Sequence, residues 1–201
     1  MSIQRLRIDI IQERYVMKNV YVFLATGFEE IEALTPVDIL RRAGMDVRLV
    51  SVSGSETVKG ARNIEVKSDL LFDDIDKDFA DILVLPGGMP GTTNLMNCKP
   101  LTDLVIEYFN KGKHIAAICA APTIFGKLNL LKGKNATCYP GMEDELIGAN
   151  VRYESVVTDS NVTTSRGMGT AIDFSLELLK LMSEDKNAAN NMADKVVYKI
   201  K

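Results

Sequence analysis

The sequence has no tryptophan, a single histidine (His114) and only three cysteines, Cys98, Cys119 and Cys138. An odd number of cysteines is not the pattern of a secreted disulfide framework. A Cys/His metal cluster would have to use nearly all of these residues, and none stand at ligand spacing, so no metal is expected. No apolar run approaches the about 18 residues that span a membrane. Neither sign of charge dominates: 24 Lys and Arg against 27 Asp and Glu leave a net charge of −3. That balance argues against a nucleic-acid partner, which needs a basic face. Arg5, Arg7, Asp9, Glu13 and Arg14 interrupt the apolar residues of positions 1–16, so neither a signal peptide nor a transit peptide is expected there. The expected location is cytoplasmic, and the glycosylation triplets at Asn135 and Asn161 are then idle.

What remains is an ordinary globular composition, 46% hydrophobic and 25% charged, over 201 residues. That length fits one domain with a core large enough to need no staple. Residues 1–17 read as an N-terminal extension and 18–201 as the domain. The continuous apolar runs Val20–Ala25, Asp81–Leu85 and Ile115–Ile118 read as strands covered on both faces. A further strand is expected at Asp46–Val52, a hairpin around Arg62–Val66, and short strands at Ala136–Tyr139 and within Val151–Thr164. Helices are expected from Thr35 (cap) and Pro36 to Gly44, over Leu101–Phe109, from Pro122 to Leu128, and over Thr170–Met182, with a polar helix after Ser183. Strand and helix in alternation predict an α/β fold, a doubly wound and mostly parallel sheet between helical layers.

Ala117-Ile118-Cys119-Ala120-Ala121 joins a buried strand to a helix in the form small–x–nucleophile–x–small. This is a nucleophile elbow with cysteine in place of serine, and Pro122 suits the first helical turn. A helix N-terminus beside Cys119 would favour the thiolate and lower its pKa. A buried structural cysteine fits the same residues equally well. His114 lies five residues back, at the far end of the strand. At about 3.3 Å per residue the two are roughly 16 Å apart, which rules out an intrachain Cys–His dyad. His114 is expected at the surface.

A carboxylate is the remaining partner. Gly27-Phe28-Glu29-Glu30-Ile31-Glu32 follows the first strand, at the sheet edge where α/β folds bind ligands. Glu32 heads the stripe Glu32, Pro36, Ile39, Ala43, so partial burial and a raised pKa are expected. A protonated Glu32 would donate to the Cys119 thiolate. Glu29 and Glu30 read as solvated acids at a helix start. The N–H groups of Gly87, Gly88 and Ala120 are candidates to hold a carbonyl oxygen or oxyanion. Gly167-Met168-Gly169 starts like a dinucleotide loop, but the third glycine would fall at Ile172, and no cofactor is expected. Cys138 reads as a core residue pointing away from Tyr139.

The EEIE segment with Glu32, Pro86-Gly87-Gly88, AAICAAPT at 116–123 and TSRGMGTAIDF at 164–174 together resemble the ThiJ/PfpI family. The resemblance runs from about Lys18 to the C-terminus and points to the branch of the parkinsonism-associated deglycase and its bacterial relatives. It implies a flavodoxin-like single domain, a homodimer, and a reactive, oxidisable cysteine, here Cys119, paired with a protonated glutamate, here Glu32. It implies glutathione-independent glyoxalase or deglycase chemistry on methylglyoxal, glyoxal and their protein adducts. The alternative it carries is a redox-sensing chaperone dimer that works through oxidation of Cys119. A protease-like cysteine hydrolase ranks last, since no histidine reaches the nucleophile. Tyr139 stands where some members have histidine, and Arg62 and Arg166 match family positions near the site or the dimer interface.

Overall fold

Asn19–Leu24 (β1) shows why the chain layers as it does. Alternate residues of a strand face opposite ways, and here both sets are apolar. Val20, Val22 and Leu24 join one core cluster, and Tyr21 and Phe23 join the other. The computed structural model describes residues 19–198, and the expected extension at 1–17 lies outside them.

The chain continues through α1 (Glu30–Arg42) and β2 (Asp46–Ser51) to β3 (Thr57–Lys59) and β4 (Glu65–Lys67), which pair as an antiparallel hairpin. Next come β5 (Leu70–Leu71), β6 (Ile82–Leu85), α2 (Gly91–Asn97) and α3 (Lys99–Asn110). Then follow β7 (His114–Ile118), α4 (Pro122–Lys127) and the short β8 (Asn135–Ala136) and β9 (Asn150–Val151), which pair apart from the main sheet. Strands β10 (Val156–Asp159) and β11 (Val162–Ser165) precede α5 (Ala171–Met182) and α6 (Ala188–Lys195). The main sheet has the order β10-β11-β7-β6-β1-β2-β5, and β10 alone runs antiparallel to its neighbour. Helices α1, α5 and α6 cover one face through Leu40, Phe174, Leu178 and Met192. Helices α2, α3 and α4 cover the other through Leu95, Leu104, Tyr108 and Phe125.

One expectation about the elements is corrected. The first helix begins at Glu30 rather than at Thr35, and Pro36 lies inside it. A proline there removes one backbone bond, to the Glu32 carbonyl. Burial of Ala33, Pro36, Val37 and Leu40 outweighs that loss, and Glu30 and Glu32 complement the positive helix end. Helix α2 was not legible, because Gly-Thr-Thr-Asn are poor helix formers. The polar helix expected after Ser183 is present as α6, which buries Met192 and Ala193.

Candidate active site

Strand order reverses between β1 and β6, and a cleft opens beyond the C-terminal ends of strands at such a point. Three loops meet there: residues 25–29 after β1, Pro86-Gly87-Gly88 after β6, and Cys119 after β7. Cys119 adopts φ 65°, the left-handed region that L-residues avoid, as an elbow requires. Two bonds hold it there: its N–H donates to Ser165 O at 3.0 Å and its carbonyl accepts from Tyr139 N–H at 2.8 Å. Ala117 and Ala121, the small flanks, are fully buried, and Pro122 opens α4.

Glu32 arrives on the buried face of α1, only 1% exposed. Its side chain hydrogen-bonds Cys119, and it accepts from the Gly87 N–H (3.0 Å) and from the Met168 N–H. Burial pushes its carboxyl up to about 7, against the opposing pull of those bonds. The direction is the one the apolar stripe predicts. The oxyanion role expected of Gly87 is corrected, since its N–H is already committed to Glu32. Glycine is needed at 87 for space: a Cβ there would lie 2.7 Å from Cys119 Cβ and 2.7 Å from Glu32 Oε2. The N–H groups of Gly88 and Ala120 face the Cys119 sulfur instead.

The expected lowering of the Cys119 pKa is also corrected. Burial, then the adjacent Glu32 carboxylate, push the thiol up to about 12, and the Ala120 and Gly88 N–H groups offset this only in part. Helix α4 has six residues and is capped at Ala121, two residues beyond the cysteine, so its dipole is weak at the sulfur. Burial and mutual repulsion oppose ionising both groups at once, so above neutrality the pair shares one proton. The nucleophilic arrangement is the one in which Glu32 holds it and the sulfur is the anion.

A cavity of about 340 Å³ opens over the sulfur, lined by Glu29, Glu32, Ala61, Arg62, Gly88, Met89, Cys119, Ala120, Tyr139, Met142 and Met168. Tyr139 and Arg62, singled out in the sequence, are both part of it. Arg166 is not; its guanidinium lies 5.6 Å from the Tyr153 ring centroid. Glu29 and Glu30 are buried, not solvated. Glu30 Oε1 accepts the Arg62 N–H at 2.7 Å, which ties the β3–β4 loop to α1. His114 is also buried rather than at the surface, its Nε2 2.8 Å from Thr163 Oγ1, and burial pushes its pKa down to about 4. It sits at the opposite end of β7 from Cys119, so no Cys–His dyad forms. Cys138 is in the core with α3 and α4, as expected, while Cys119 packs against the other cluster. Met89, Met142 and Met168 were missed as lining residues. Their one sequence signal was position, each in a loop close to a motif already marked.

The pattern of the DJ-1/PfpI family matches residues 18–181. The Arabidopsis thaliana protein DJ-1 homolog B is 41% identical over 172 residues, which covers 84% of this chain and 39% of that protein. The chain thus spans about two fifths of that relative's length. Deglycase PfpI of Pyrococcus furiosus is 34% identical over 160 residues, 79% of this chain and 95% of that protein. The structure of oxidized Toxoplasma gondii DJ-1 superposes with a TM-score of 0.87 at 34% identity, covering 92% of this chain and all of that one. With an elbow cysteine, a paired buried glutamate and this sheet order, the chain belongs to the DJ-1/PfpI family.

Proposed function

We propose that the protein is a cysteine-dependent carbonyl-stress enzyme that converts α-oxoaldehydes such as methylglyoxal, free or as early adducts on amines and thiols, into 2-hydroxy acids. One observation carries the reading: a buried glutamate with a raised pKa is hydrogen-bonded to the elbow cysteine inside a ligand-sized cavity. The deglycase name of the Pyrococcus relative supports it.

The chemistry needs no external electron carrier. The Cys119 thiolate forms an S–C bond to the aldehyde carbon, and Glu32 gives its proton to the resulting oxygen, which the Gly88 and Ala120 N–H groups face. The Glu32 carboxylate then takes the proton from that carbon and passes it to the neighbouring carbonyl oxygen, which leaves an enediol. The first hydroxyl's proton moves by the same route to the second carbon, which yields a 2-hydroxy thioester. Water cleaves the S–C bond and releases the 2-hydroxy acid and the thiol. The aldehyde carbon is oxidised, the ketone carbon is reduced, and the sum is addition of water. The test is lactate formation from methylglyoxal without glutathione. Activity in the wild type and none in Cys119→Ser is expected; full activity in Cys119→Ser overturns the reading.

A second reading is favoured by the donors around the sulfur. Glu32 and the Gly88 and Ala120 N–H groups are placed to hold the oxygens of an oxidised Cys119, as in a redox-sensing chaperone. Mass spectrometry after mild peroxide decides it: oxidation of Cys98 or Cys138 ahead of Cys119 removes it. Either activity is proposed to work in a homodimer. Exposed Ile31 and Ile64 flank an apolar groove with Leu34, Ile172 and Val196 beside the active-site wall, a surface suited to a second copy. Sedimentation at micromolar concentration tests this.

A further inference from the structure

The cavity has two unlike parts. Around the sulfur it is polar, with Glu32 and the Gly88 and Ala120 N–H groups. Its remaining wall carries three thioethers and a phenol ring, Met89, Met142, Met168 and Tyr139, with Glu29 and Arg62 beside them. Among the described residues eight large apolar side chains stand exposed, and three of them are Met89 (59%), Met168 (54%) and Tyr139 (51%) in this one wall. Exposed apolar groups gathered at a reactive centre mark a binding surface rather than chance.

Methylglyoxal does not use such a wall. It has three carbons, fills a small part of 340 Å³, and presents a lone methyl to the thioethers. Thioethers are polarisable and adaptable, and they contact aromatic rings favourably. A Tyr ring offers an edge or a face to another ring. We propose that the preferred substrate is an α-oxoaldehyde bearing an aromatic substituent, with Met89 and Met168 as specificity-determining residues. The dicarbonyl end sits at Cys119 and Glu32, and the ring lies on the Met–Tyr wall. This rests on the carbonyl reading of Cys119 given above. For phenylglyoxal the balanced reaction is addition of one water to give mandelate: the aldehyde carbon is oxidised to carboxylate, the ketone carbon is reduced to carbinol, and one proton is released.

Two measurements test it. The first is the ratio of kcat/KM for phenylglyoxal over methylglyoxal, in the wild type and in Met89→Ser/Met168→Ser. The wild type should favour phenylglyoxal, and the ratio should fall about tenfold in the variant. A ratio within twofold of wild type overturns the assignment. The second is calorimetric binding of the two products to Cys119→Ser, which cannot turn over. Mandelate should bind at least tenfold more tightly than lactate, and most of that margin should vanish when Met89→Ser/Met168→Ser is added. Equal binding overturns the aromatic wall even if methylglyoxal is a good substrate. Failure to turn over either aldehyde overturns the carbonyl chemistry, and the mandelate margin then decides the wall by itself.

Discussion

The Gly87 N–H donates to Glu32 Oε2 at 3.0 Å, and a Cβ at this position would lie 2.7 Å from both Cys119 Cβ and Glu32 Oε2. The glycine fixes the carboxyl and leaves room for the sulfur beside it. Gly87→Ala therefore separates the pair. Turnover should fall by about a hundredfold, because a misplacement of about 1 Å costs that much. Stability should drop by about 1–3 kcal/mol through overpacking. Urea unfolding and lactate formation on the same preparation check both figures.

Glu32→Gln should remove activity and strengthen the fold at alkaline pH. The folded carboxyl titrates near 7, above its ordinary 4.5, so ionising it opposes folding. The wild type loses stability as pH rises from about 4.5 through 7, and the full loss persists above 7. Glutamine keeps an acceptor for the Gly87 N–H and carries no charge. The variant should gain up to roughly 3 kcal/mol over wild type at pH 8, with the difference shrinking at pH 4.5. Unfolding midpoints at the two pH values measure it, and equal differences at both would contradict the assignment.

His114→Gln tests the opposite sign. Burial holds the imidazole neutral and pushes its pKa down to about 4, with Glu177 acting weakly the other way. The unfolded chain binds a proton near 6.5 that the folded chain refuses. Wild-type stability therefore falls as pH drops from about 6.5 to 4, by roughly 3 kcal/mol at the lower end. Glutamine can still bond Thr163 and does not titrate. Its stability profile should be flatter across that window.

Tyr139→His should raise turnover. The ring stands in the cavity wall, and its backbone N–H already bonds the Cys119 carbonyl. An imidazole at this position would exchange protons near neutrality. About a tenfold rise in kcat at pH 7, with a new limb in the pH profile between 6 and 7, is the expected result.

Much of this was legible in the sequence, and the reasons differ by element. The interior strands were plain because both faces are covered, so Val20–Leu24 and Ile82–Leu85 are unbroken apolar runs. Cys119 was legible because an elbow demands small flanks at fixed spacing. Glu32 was legible because a lone acid on an apolar stripe is anomalous. The start of α1 was not, since Thr35-Pro36 carries a strong local signal that tertiary burial overrides. Nor was the burial of Glu30, whose partner Arg62 N–H lies 32 residues away. The direction of the Cys119 shift depends on burial and on Glu32 together, and a local helix-end argument includes neither.

The three wall methionines lie on three separate loops, after β6, after β8 and after β11, while Cys119 and Glu32 are held by the sheet edge and by α1. Each side chain can therefore be exchanged by itself, since what the Met168 loop gives the reacting pair is a backbone N–H to Glu32 rather than its thioether. A small combinatorial library at positions 89, 142 and 168 would redraw the range of aldehydes accepted and keep the proton-transfer machinery intact. By the same independence, drift at these positions during descent would give sister proteins different tastes for carbonyl compounds from one unchanged chemical centre.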